Sequence, residues 1–277
     1  MTTSNGRVSC PGESQRIVAL SGEGAPESPA HGQAACAQCD VCELSLPCSL
    51  LRAELGRFDQ LVYARLKVSR GEDLFRAGNA FGAIYAIRSG FFKSERVLED
   101  GRCQIIGFHM PGEIVGMDGI DAGRYTCNAV ALEDAEVCVI PLLRLEDTLP
   151  DVHALQHVFH QILGREIVRG HGAMVLLGVM QADQRLAAFL LNLLQRFESR
   201  GRTASSFALP MTREDIGSFL GLKLETVSRL FSKLRGSALL TAEQRHVRIL
   251  DPAGLRQIVA RRPVRDATRH RTRRLDS

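Results

Sequence analysis

No run of apolar residues in this 277-residue chain approaches the ~18 that a membrane-crossing helix requires. No membrane partner is therefore expected. The N-terminus also lacks the apolar core of a secretory signal, because Ile17 to Leu20 is too short for one. A cytoplasmic location follows as an expectation. In that reducing compartment the 8 cysteines read as thiols or metal ligands and not as disulfides. Also missing are a cofactor fingerprint and an acid–base constellation, so the chain reads as a non-enzyme. What is present is ordinary globular material. Apolar residues make up 45% of the chain, enough to build cores without disulfide staples, and the length suits two domains.

The net charge of +4 conceals an asymmetry. Ser205 to Ser277 holds 15 Lys/Arg against 7 Asp/Glu, while the rest holds 20 against 24. A basic end on an acidic chain suits a polyanion, most often nucleic acid.

Residues 1–35 are rich in Gly, Ser, Pro and Glu without periodicity and read as a disordered tail. A cysteine-dense stretch follows, and Leu50 to Leu66 reads as a short amphipathic helical region. From Val68 to Leu142, short apolar stretches (Ile84–Ile87, Gln104–Phe108, Val137–Ile140) alternate with Gly71, Gly78, Gly90, Gly101, Gly112 and Gly123. Turn signals at such regular spacing indicate an antiparallel sandwich or barrel. Pro150 to Met180 reads as a helix with one apolar stripe: Val152, Leu155, Phe159, Leu163, Ile167, Met174 and Leu177. The stripe can pack on its own domain or form a dimer seam. Gly170, Gly172 and Gly178 weaken its second half. A further helix runs from about Ala182 to Glu198.

The most specific local pattern is Met211 to Arg235. Thr212 can cap a helix, with Asp215 completing the box three residues on. Gly221 breaks that helix, and a second runs from about Leu224 to Leu234 with Val227, Leu230, Phe231 and Leu234 inward. This is the helix-turn-helix pattern. Glu225, Ser228, Arg229 and Lys233 can share the outward face, and such side chains suit the edges of bases in the major groove. Ala238–Thr241 and His246–Leu250 read as a small hairpin, a wing. Asp251-Pro252 starts a last helix. The arginine-rich end at 263–277 reads as a disordered tail that adds phosphate contacts.

Cys36, Cys39, Cys42 and Cys48 lie within 13 residues. Thiolates bind zinc, Cu(I) or iron–sulfur clusters. Structural zinc usually takes two C-x2-C knuckles, whereas ferredoxin-type clusters use one dense run plus a distant cysteine. Spacing alone leaves two registers open, Cys36/Cys39/Cys42 and Cys39/Cys42/Cys48.

With both ends read, the chain resembles the fumarate and nitrate reduction regulators, the anaerobic branch of the catabolite activator superfamily. The likeness spans about residues 36 to 260. It rests on Cys39-x2-Cys42-x5-Cys48, Leu74-Phe75-Arg76-Ala77-Gly78, Tyr85-Ala86-Ile87-Arg88-Ser89-Gly90, Gly107-Phe108-His109 and Arg185-Leu186-Ala187-Ala188-Phe189. The recognition segment Leu220-Gly221-Leu222-x2-Glu225-Thr226-Val227-Ser228-Arg229-Leu230 completes it.

The resemblance implies an α+β fold: a jelly-roll-like β-barrel sensory domain, a long dimerisation helix and a C-terminal winged helix-turn-helix. In this chain those parts would occupy 36–150, 151–181 and 182–262. It also implies a [4Fe-4S] cluster on Cys39, Cys42, Cys48 and Cys138, with Cys10, Cys36, Cys103 and Cys127 outside the ligand set. Glu225, Ser228 and Arg229 would read palindromic DNA with TTGAT-type half-sites, helped by Thr212, Lys223 and Lys233. The expected function is an oxygen-responsive, homodimeric transcription activator working with RNA polymerase. The alternatives are a zinc- or thiol-based redox regulator and an iron–sulfur electron-transfer enzyme. Lys223 stands where a Ser or Thr cap is usual, so a phosphate contact is expected of it. The parent superfamily's nucleotide cassette is matched at Gly112-Glu113 but poorly at Gly123-Arg124-Tyr125-Thr126, and no cyclic nucleotide is expected.

Overall fold

The computed structural model describes residues 61–148, 153–200 and 206–261. The two expected tails, the N-terminal cysteines and Pro150 lie outside the described residues. The chain forms two compact units. One runs to Arg169 and takes in Pro210–Phe219; the other comprises Gly170–Leu209 and the chain from Leu220 onward.

Eight strands build the first unit: β1 (Ala64–Val68), β2 (Asp73–Phe75), β3 (Ala83–Ser89), β4 (Phe92–Val97), β5 (Cys103–His109), β6 (Ile114–Val115), β7 (Asn128–Ala131) and β8 (Ala135–Pro141). They pair antiparallel into two sheets of four, ordered β1-β8-β3-β6 and β2-β7-β4-β5. This is the expected jelly-roll-like barrel. The six recurrent glycines all adopt positive φ, between 64° and 86°, which L side chains disfavour. Gly90 has a second reason: a Cβ there would meet Ala135 Cα at 2.7 Å. Residues 64–66, read from sequence as the end of a helix, are strand β1, paired along Val137–Val139 of β8. Sheet pairing overrides the local pattern there.

Alternation along the strands separates two cores. Between the sheets lie Phe75, Ile87, Phe92, Val115, Tyr125, Cys127, Ala129 and Val137, with the Phe75 and Tyr125 rings stacked at 4.0 Å. On the outer face of the first sheet, Ile84, Ala86, Ile114, Cys138 and Ile140 meet Leu61 and two helices. These are α1 (Leu142–Thr148) and α2 (His153–Val179).

The apolar stripe of α2 divides. Of the stripe read from the sequence, Leu155 is buried against the sheet and Phe159 half-buried, beside Val158 and Ile162, which that stripe did not include, whereas Ile167 and Met174 are 59% and 64% exposed. Arg169 Nη2 lies 3.3 Å from the buried Glu113 carboxylate. Pro210–Phe219 packs on β4 and β5. Ser218 Oγ accepts from Ile105 N at 3.0 Å, Gln104 Nε2 donates to Ser218 O, and Lys93 Nζ sits 3.2 Å from both Asp215 and Glu95.

The second unit contains α3 (Ala182–Glu198), α5 (Leu224–Gly236) and α6 (Pro252–Ala260), while α4 is Arg213–Leu220. Strands β9 (Ser206–Ala208), β10 (Leu240–Glu243) and β11 (His246–Ile249) form a sheet ordered β10-β11-β9. The hairpin is the expected wing. The third strand, β9, escaped the sequence reading because three residues are too short to show a period. Asp251 caps α6 by accepting from Gly254 N at 2.9 Å.

Candidate DNA-reading helix and cysteine site

The capping box forms as the sequence reading expects. Thr212 Oγ1 accepts from Asp215 N at 3.0 Å and donates to the Asp215 carboxylate at 2.7 Å, and that carboxylate accepts from Thr212 N at 2.8 Å. The Thr212 hydroxyl is thus committed to starting α4. Burial of Asp215 disfavours its charge. The Thr212 bonds and the Lys93 ammonium outweigh that and hold the carboxyl below its usual range. Burial equally disfavours charge on Lys93, and the Asp215 and Glu95 carboxylates reverse it, so its pKa is raised.

Helix α5 follows Gly221 (φ 64°). Its N-cap, Lys223, is extended and makes no side-chain cap bond, which leaves the ammonium exposed at the helix start. Val227, Phe231 and Leu234 are buried. Glu225, Ser228 and Arg229 are exposed and fall within one turn of each other. Among the described residues no ion pair ties Glu225 to Arg229. Lys233 stands apart: its ammonium is 3.8 Å from Asp183 of α3, at the flank of the face. The exposed Arg245 and Arg248 of the wing were missed by sequence reasoning, although the buried–exposed alternation of β11 marks Arg248 as outward. At the start of α3, Arg185 was read only as part of a signature and Gln184 was not singled out. Gln184 Nε2 reaches Arg261 O at 2.7 Å and Val259 O at 3.1 Å, satisfying carbonyls at the end of α6.

Of the four expected cluster ligands, only Cys138 is among the described residues. The chemistry of a four-thiolate set suits an iron–sulfur cluster, and the placement of Cys138 fits that set. It is 1% exposed on the outer sheet face, in one cluster with Leu61, and Tyr63 N bonds Val139 O at 2.9 Å. Leu61 and Tyr63 thus lie beside the strand that carries Cys138. Cys127 is enclosed between the sheets; burial, with the Asp118 carboxylate beside it, pushes its thiol up to about 12. Cys103 departs from the expectation of thiols or ligands throughout, being engaged in a disulfide. Among the described residues no three His, Cys, Asp or Glu side chains converge on a metal position.

The residues of the poorly matched cassette segment are used internally. Arg124 bonds Gly78 O at 2.8 Å, Tyr125 bonds Ala83 O at 2.6 Å, and Thr126 bonds the Asp118 carboxylate. No described helix is long and apolar enough to cross a membrane.

Residues 184–258 match the Crp-like helix-turn-helix domain, and residues 65–150 match the cyclic nucleotide-binding domain. The chain is 42% identical over 224 residues to the transcriptional regulatory protein btr of Bordetella pertussis, covering 81% of this chain and 93% of that one. It is 37% identical over 223 residues to the fumarate and nitrate reduction regulatory protein of Escherichia coli, covering 80% and 89%. Among solved structures it resembles FixK2 of Bradyrhizobium japonicum, with a TM-score of 0.65 and 29% identity over 72% of this chain and 98% of that one. The chain therefore belongs to the fumarate and nitrate reduction regulator branch of the catabolite activator superfamily of transcription regulators, with a Crp-like helix-turn-helix as its DNA-binding domain.

Proposed function

We propose that this chain is an oxygen-responsive transcription regulator that binds palindromic, TTGAT-type DNA as a homodimer, in the cytoplasm, while a [4Fe-4S] cluster is held by Cys39, Cys42, Cys48 and Cys138. The observation that carries the reading is the position of Cys138: buried on the outer sheet face beside Leu61, which follows the cysteine run in the sequence. When bound, the cluster supplies four iron–thiolate links that stabilise one arrangement and that oxygen can dissolve. Cys138 also belongs to the core that seats Leu155, Val158 and Ile162 of α2, so its ligation bears on the helix whose exposed half carries the dimer seam. Glu225, Ser228 and Arg229 then read bases, and Lys223 contacts phosphate. RNA polymerase is the expected partner at promoters.

Protein purified without oxygen should contain iron and sulfide. Replacing Cys39, Cys42, Cys48 or Cys138 singly by Ser should remove the brown colour and operator binding; Cys36→Ser and Cys127→Ser should keep both. Loss of the cluster in Cys36→Ser with retention in Cys48→Ser would reverse the register.

A further inference from the structure

The Arg185 side chain makes three hydrogen bonds to carbonyls at the ends of two helices. Nε donates to Met180 O, Nη2 to Leu177 O and Nη1 to Leu220 O, each at 2.9 Å. Leu177 and Met180 belong to the last turn of α2 and its exit; Leu220 ends α4. The last carbonyls of a helix lack intrahelical donors and carry the negative end of its dipole. A permanently charged, planar guanidinium suits both at once.

The turn into the recognition helix is built against this side chain. A Cβ on Gly221 would lie 3.4 Å from Arg185 Nη1 and 3.7 Å from Leu177 Cδ2. Only Gly221, Leu222 and Lys223 separate Leu220 from α5. The same stretch of α2 exposes its apolar face, with Met174, Val175 and Val179 at 64%, 53% and 69%. One guanidinium therefore binds the end of the exposed seam to the start of the base-reading segment.

We propose that Arg185 is a positioning residue for DNA recognition: it fixes the recognition helix relative to the dimer seam and so sets the half-site spacing that the dimer accepts. This inference rests on the proposed dimeric reading of a palindrome. In a two-fold dimer the helix–seam angle enters twice, and recognition helices must sit about one DNA turn, roughly 34–36 Å, apart. A tight clamp makes the complex intolerant of altered spacing; a loose one lets each recognition helix adapt.

The test uses full-length, anaerobically prepared protein and four DNA duplexes at fixed salt: the palindrome, the same site with one base pair added or removed at its centre, and a single half-site. Wild type should lose about tenfold or more on either change of spacing. Arg185→Gln should sediment as wild type and keep half-site affinity within about twofold, and its spacing discrimination should fall below about threefold. Arg185→Lys, a point charge that cannot fork onto three carbonyls, should fall between. Wild-type spacing discrimination in Arg185→Gln overturns the inference, as does an equal loss on all four duplexes. Should Arg185→Gln fail to fold, Gly221→Ala, which strains the left-handed turn that the clamp holds, must flatten the same profile or the inference fails. A wild-type protein that ignores the palindrome altogether would instead overturn the DNA reading beneath it.

Discussion

Cys127 and Cys138 are core cysteines of one barrel that face different interiors: Cys127 lies between the two sheets, and Cys138 lies outside them with Leu61. The pair therefore separates a structural thiol from a candidate ligand. With its thiol pushed up to about 12 from the ordinary 9.0, Cys127 holds about a thousandfold less thiolate than an exposed cysteine at neutral pH. Cys127 should resist iodoacetamide at pH 8 until the protein is unfolded, as peptide mass spectrometry would report. Rapid native labelling would show that the inter-sheet core admits solvent.

Gly90 and Gly101 share a left-handed backbone but not a neighbourhood. A Cβ at Gly101 meets nothing within 4 Å, whereas at Gly90 it would overlap Ala135. Gly101→Ala should cost ~1–2 kcal/mol from backbone strain alone. Gly90→Ala must cost more, because the β8 backbone has to move. Equal melting temperatures for the two variants would refute the overlap.

The Lys93–Asp215 pair predicts a pH profile. The Asp215 carboxyl is held below the ordinary carboxylate value of 3.8, so its contribution is present above about pH 4 and lost as pH falls through the lowered value. Lys93 is raised above 10.5, so its contribution is present below that pH and lost as pH rises through the raised value. Asp215→Asn should destabilise by ~1–3 kcal/mol at pH 7, since it removes a charged partner and weakens the cap, and it should flatten the acid limb. Thermal melts of both proteins from pH 3 to 7 give the comparison; an unchanged acid limb would show that Asp215 does not govern it.

Arg229 is exposed on α5 one turn after Glu225. Arg229→Ala should cost ~1–3 kcal/mol and relax preference at one base pair. Truncating Lys223 should weaken all sequences alike and lower the salt slope, as loss of a phosphate contact does. Operator variants titrated at fixed salt distinguish the two. A uniform loss for Arg229→Ala would put that side chain on the DNA backbone.

What could be read in advance was whatever repeats or caps locally. The glycines at positive φ, the Thr212–Asp215 box, Gly221 and the wing each follow from a few neighbouring residues, and the structure contains them. The elements that escaped depend on distant partners. Residues 64–66 are strand because β8 pairs with them, and β9 exists only beside β11. The stripe of α2 looked continuous because periodicity does not reveal where the sheet beneath it ends. The carbonyl partners of Gln184 and Arg185 lie up to 77 residues away in sequence, beyond any local pattern. Neither the composition nor the spacing of cysteines could tell which face of the barrel Cys138 occupies.

The exposed half of α2 has an evolutionary consequence. Gly164, Gly170, Gly172 and Gly178 each have open space where a side chain would stand, and each weakens the helix by up to ~1 kcal/mol relative to alanine. Every glycine codon becomes an alanine codon by a single nucleotide change. The helix therefore offers a graded series of one-step mutations. Each adds helix propensity without touching a cysteine or a base-reading residue. Lineages can therefore tune the stability of this helix in small increments while the recognition helix stays as it is.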